Sequence, residues 1–155
     1  MAKKTIKTEK VLSAFRVLNT AKYSKMTDED KIKVWKIARA LKPVADKFDE
    51  DSKDAAEKFK PTEDFGERLQ KAQEFERMRN AGEDMVDAPM GAAEYGEFLK
   101  EFQKYNKLVS DAVKEFAEKE VEVEFDTITE ESFGKLMSSN DWTVEQAMEI
   151  GALVM

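Results

Sequence analysis

Thirty-three aspartates and glutamates, 26 lysines and arginines, and neither histidine nor cysteine bound the chemistry open to this 155-residue chain. Imidazole is the usual general base near neutral pH. Its absence closes Ser-His-Asp hydrolysis, histidine zinc sites and the Glu-x-x-His di-iron bundle. The absence of cysteine removes the thiolate nucleophile, the thiolate zinc site and the disulfide. Carboxylate, lysine and tyrosine chemistry is what remains for an enzyme.

The acidic runs do not spell such a site. Asp49-Glu50-Asp51-Ser52-Lys53-Asp54 resembles the start of a calcium loop, but an EF-hand needs Gly at its sixth position and Glu at its twelfth. Counted from Asp49, those positions hold Asp54 and Lys60. A solvated helix face is the simpler reading. Asp28-Glu29-Asp30 follows Thr27 and suits the first turn of a helix, where carboxylates complement the dipole. No spacing singles out a glycosidase-like carboxylate pair, and the six glycines form neither GxGxxG nor GxxxxGK. No catalytic, metal or cofactor residue is therefore assigned.

The candidates that remain are surfaces. Met85, Val86 and Met90 lie in an unusually apolar loop, EDMVDAPMG, and methionines make adaptable contact surfaces. The competing reading folds these side chains over the end of a helical bundle, since exposed apolar loops are liabilities. Trp142 stands just before the Thr143 cap, either as a staple for the last helix or as an exposed anchor. Trp35 sits beside an apolar stripe and is expected in the core. Lys3, Lys4, Lys7 and Lys10 make the N-terminus basic, but the formal net charge of -7 disfavours generic nucleic-acid binding.

Helices must position these residues. Few glycines and prolines together with 38% charged residues are the composition of long solvated helices. Val11, Leu12, Phe15 and Leu18 mark a first helix from about Glu9 to Asn19. Val34, Ile37, Leu41, Val44, Phe48, Ala55 and Phe59 mark a long one from Asp28 to Lys60, bent near Pro43, with a break into two helices there as the alternative. Thr62 is expected to cap a third, from Glu63 to about Asn80, which Gly82 ends. Ala92 to about Glu118 reads as the longest uninterrupted helix, about 40 Å at ~1.5 Å per residue. A short helix capped by Thr129 and a last one opened by the Thr143–Gln146 capping box complete the set.

Two segments read as strands. Val121 to Phe125 lies in a stretch where acid and apolar residues alternate strictly, and a lone strand is not stable in water. Ala2 to Thr8 is the one partner with suitable chemistry. If Ile6 joins Val121, Val123 and Phe125 against the helices, Lys3 and Lys7 meet the glutamates outside. Each opposite-charge pair contributes roughly 0.2–1 kcal/mol, enough to favour this register over one that buries lysines. Strand direction does not follow. The expected fold is mainly α: one domain over residues 1–155, a long antiparallel helical hairpin or bundle, and a two-stranded β ribbon joining the N-terminal strand to residues 121–125.

This order of parts, with Lys36-Ile37-Ala38-Arg39-Ala40-Leu41-Lys42, Glu120 to Phe125 and Thr143 to Gln146, resembles a family of small bacteriophage-encoded helical proteins of uncharacterised function. The segment from Pro61 to Gly91 is longer than that pattern. The resemblance implies no catalytic residues. The resulting expectation is a non-catalytic interaction or assembly protein of a phage or mobile element, with a protein partner or self-association. An acidic inhibitor filling a basic site of a host protein is the alternative, and a carboxylate- or lysine-based enzyme the second alternative. No leader is expected, since polar residues follow Met1. No apolar run approaches the roughly 18 residues of a membrane span, so a cytoplasmic location is expected, in the host cytoplasm or the virion if the chain is phage-encoded.

Overall fold

The computed structural model describes residues 1–155. In chain order the elements are β1 (Ala2–Lys7), α1 (Thr8–Asn19), α2 (Asp28–Lys58), α3 (Phe65–Asn80), a 3₁₀ turn (Met85–Asp87), α4 (Ala92–Glu118), β2 (Glu120–Phe125), α5 (Glu130–Ser138) and α6 (Val144–Val154). The fold is thus mainly helical, with one two-stranded antiparallel sheet. It divides into two compact units, Met1–Asp51 with Glu115–Met155, and Ser52–Lys114.

The first unit holds the larger core. Val11 and Leu18 of α1, Val34, Ile37 and Leu41 of α2, Val123 and Phe125 of β2, Leu136 of α5 and Ile150 and Val154 of α6 pack together and are buried. The three-four spacing on α2 explains why those residues share one face. It also explains a correction: Trp35 is 55% exposed rather than core. One residue past Val34, it is turned about 100° away from the buried stripe, and its ring instead lies under the Arg39 guanidinium at 4.7 Å. Pro43 sits inside α2 without ending it, so the two-helix alternative falls.

The ribbon settles strand direction. Ala2 lies opposite Phe125, Lys4 opposite Val123 and Ile6 opposite Val121, all antiparallel. Lys3, Thr5 and Lys7 are exposed on the outer face opposite Glu124, Glu122 and Glu120. The one ion pair formed there is diagonal, Lys3 Nζ to Glu122 Oε1 at 3.4 Å. β1 runs straight into α1. The Thr8 N–H and the Thr8 hydroxyl both donate to the Lys119 carbonyl, at 2.9 and 2.8 Å. The ladder thereby satisfies an N–H that the start of a helix would leave open.

Polar bonds fix the remaining joints of this unit. The Asn140 side chain accepts from the Lys22 N–H at 2.8 Å and donates to the Lys22 and Leu136 carbonyls, each at 2.9 Å. The Lys25 N–H donates to Ser139 Oγ at 3.0 Å. These bonds tie the connection before α2 to the end of α5. The Thr143–Gln146 capping box is formed in full, and Thr27 and Thr129 cap α2 and α5.

The second unit is built on aromatic packing between α3 and α4. Phe65 lies 5.4 Å from Phe98 and 4.8 Å from Tyr105, and Phe75 stacks on Tyr95 at 4.5 Å. Such pairs contribute beyond the area they bury. The Tyr105 hydroxyl donates to the Ala56 carbonyl at 3.0 Å, so the end of α2 meets α4 here. Helix α3 begins at Phe65, with Asp64 in the cap position and no side-chain cap. Thr62 is therefore not its cap, because its hydroxyl bonds the Asp64 carboxylate instead. Gly82 has φ +70°, a conformation that costs glycine little. Bonds from Glu83 N–H to the Met78 carbonyl and from Gly82 N–H to the Arg79 carbonyl then close the Schellman motif that ends α3.

Candidate interaction site

The residues singled out for contact fall in different surroundings. Val86 is 85% exposed at the tip of the 3₁₀ turn. Met90 is 6% exposed and belongs to the aromatic core of the second unit, with Met85 and Ala88 packed against it half-buried. The loop thus turns its methionines inward and leaves the smaller valine outside. Asp84 fixes this turn, its carboxylate accepting from the Val86 N–H at 3.0 Å. In the first unit Trp142 is half-buried with its ring 6.4 Å from Phe133 of α5, so it packs against the core cluster rather than standing free as an anchor.

A concave surface outside those candidates is well developed. It is a groove of about 830 Å³ in the first unit, walled by α1 and α6 and bordered along one side by β1. Ile6, Ala14 and Leu153 give it an apolar floor. Met148, 70% exposed, overhangs it from α6. Glu9, Lys10 and Glu149 stand on its walls, and no residue of β2 reaches it.

The strand bordering this groove has an open edge. The bond from Thr8 N–H to the Lys119 carbonyl sets the phase of the ladder. In an antiparallel pair, residues that exchange hydrogen bonds alternate with residues that do not. Ile6, Lys4 and Ala2 therefore bond to β2, while the main-chain groups of Lys3, Thr5 and Lys7 point the other way. The Lys7 carbonyl accepts the first bond of α1, while no group in the chain bonds to the outward main-chain groups of Lys3 and Thr5. Unpaired main-chain donors beside an apolar groove are the elements of strand addition.

Lys4 holds the groove's far wall in place. Alternation turns its side chain inward, where an ammonium group needs a partner. Its Nζ donates to the Leu153 carbonyl at 2.6 Å and to the Ala152 carbonyl at 3.3 Å, and lies 5.9 Å from the centre of the Phe125 ring. The neighbouring carbonyls are also used, Gly151 by the Met155 N–H and Val154 by the Ile128 N–H. All four carbonyls at the end of α6 are satisfied, and a cation sits at the negative end of the helix dipole.

A smaller groove, of about 450 Å³, lies between Pro43, Val44 and Phe48 of α2, Phe116 at the end of α4, and Val121 and Glu122 of β2. Each groove carries two carboxylates and two lysines, and no three acidic side chains are placed to hold a metal ion. Glu74 is held below the ordinary carboxylate range by its bonds to the Arg77 guanidinium. That is the opposite of what a general acid needs, and Glu74 lies on an open helix face. No helix is long and apolar enough to cross a membrane.

Comparison with known proteins returned no match among protein-family models, characterised proteins or solved structures.

Proposed function

We propose that this chain is a non-catalytic interaction protein that captures a protein partner in the groove between α1, α6 and β1. The observation that carries this reading is the groove itself, with its apolar floor of Ile6, Ala14 and Leu153 beside a strand edge whose main-chain groups at Lys3 and Thr5 have no partner. The chemistry of the walls favours binding over reaction. The hydroxyls of Thr5 and Ser13 that line it form no hydrogen bond to Glu9 or Glu149, and the groove is open rather than closed to water.

The inhibitor reading needs an ordered anionic face. The ribbon supplies Glu120, Glu122 and Glu124 in a row, but Lys3 and Lys7 on the adjacent strand share that face and offset it. This favours contact through the groove over charge mimicry.

Site-specific photo-crosslinking tests the reading. A benzoylphenylalanine placed at Met148 is expected to give a discrete crosslinked product in the cells that make the protein. The same group at Glu67, on an exposed face of α3, is expected to give none. Equal labelling from both positions, or none from position 148, would refute it.

A further inference from the structure

Resting on that reading, we infer that the partner presents an extended segment of alternating acidic and apolar residues, which adds to the free edge of β1 as a third strand. Three observations converge on this occupant. The edge offers main-chain donors and acceptors at Lys3 and Thr5, spaced for a strand and used by nothing in the chain, while the Lys7 carbonyl is taken up by the start of α1. The inner side of an added strand faces the groove, whose Ile6, Ala14, Leu153 and Met148 accept apolar side chains. The outer side meets Lys3 and Lys7. Lys7 has no acidic partner within 4.0 Å, and Lys3 makes only the exposed, diagonal contact with Glu122. Directly opposite charges favour pairing and like charges oppose it, so acids belong on that side. The chain already shows this preference once, because its other strand, Glu-Val-Glu-Val-Glu-Phe, is the segment that β1 selects on its paired edge.

A second copy of the chain fits less well. Its Val123 and Phe125 are buried in its own core, at 4% and 3% exposure, and are not free to fill the groove. Pairing β1 with β1 of another copy about Thr5 sets Lys3 against Lys7. The occupant is therefore a segment not committed to a core of its own.

The experiment uses a fluorescein-labelled peptide containing Glu-Val-Glu-Val-Glu-Phe, titrated with the full chain and read by fluorescence anisotropy. A matched peptide with Lys in place of each Glu is expected to bind at least about tenfold more weakly. The preference should shrink as salt rises. Thr5→Pro removes the outward N–H without touching the ladder to β2, a position where an edge strand accepts proline. It is expected to weaken binding of the acidic peptide by about tenfold or more, with the circular dichroism unchanged. Met148→Glu, at an exposed position, is expected to weaken it by a comparable factor and guards against a folding defect in the first variant.

Equal affinity for the two peptides, or acidic-peptide binding indifferent to both substitutions, would overturn the inference. So would wild-type dimers on light scattering that Thr5→Pro dissolves, because the edge would then belong to a second copy. Crosslinking from position 148 together with no peptide binding would overturn the assignment of the partner while leaving the groove as a docking site. Loss of both would remove the broader reading.

Discussion

Replacing Lys4 by methionine keeps an unbranched apolar stem but removes the ammonium group that lies at the end of α6 and over the Phe125 ring. Two carbonyls then lose their partner. The one at Leu153 is partly buried and bonded at 2.6 Å, and the one at Ala152 is exposed and more distant at 3.3 Å. Water can replace the second, so little is lost there. A bond from a charged donor to a partly buried carbonyl contributes about 1.5–3 kcal/mol, and a cation at a helix C-terminus about 0.3–1 kcal/mol. Against these stands the cost of desolvating the ammonium, which methionine does not incur. The net expectation is a loss of about 1–2 kcal/mol, a fall in midpoint of roughly 2–8 °C for a chain of this size. Both tryptophans, Trp35 and Trp142, lie in the first unit. Urea unfolding followed by their fluorescence therefore reports the unit that contains Lys4. Lys4→Arg retains a donor and should recover most of the loss. If Lys4→Met matched the wild type within about 0.5 kcal/mol, the cap would contribute nothing net and the account of how α6 is held would fail.

Two further outcomes are expected. Leu136 is completely buried at the centre of the first core, so Leu136→Ala should lower stability by about 2–5 kcal/mol in the same tryptophan-detected unfolding. Burial raises the Tyr23 phenol above its ordinary value, and its hydroxyl donates to the Leu18 carbonyl at 3.0 Å. The folded state therefore prefers the neutral phenol. Its contribution is complete below the unfolded pKa near ~10 and is lost as pH rises through the higher folded value. In Tyr23→Phe the alkaline decline in stability should be shallower than in wild type, and an identical slope would show that Tyr23 is not linked to folding.

The helices were legible because each sequence signal is local. The stripe Val34–Ile37–Leu41 and the Thr143–Gln146 box need only the helical repeat to be read, and both appear in the fold as expected. Thr62 shows the limit of that logic. A threonine three residues before a helix start has the right chemistry for a cap, but Asp64 competes for its hydroxyl. Trp35 shows another. Hydrophobicity places it inside, whereas one residue of helical rotation places it outside. Of the loop residues, the sequence could not rank Met85, Val86 and Met90, because their exposure depends on which of them the Asp84 turn points toward Phe75 and Tyr95.

Sequence alone determined the helical class, the excluded chemistries and the charge-matched ribbon, since composition, period and the alternation of glutamate with valine act over a few neighbouring residues. Tertiary structure alone decided the antiparallel direction, the use of Lys4 as a cap for α6, and the groove between α1, α6 and the open side of β1. Those depend on residues nearly 150 positions apart being brought together, as Lys4 is with Leu153. No local pattern encodes that approach, because it is the burial of the shared core that brings the two ends of the chain into contact.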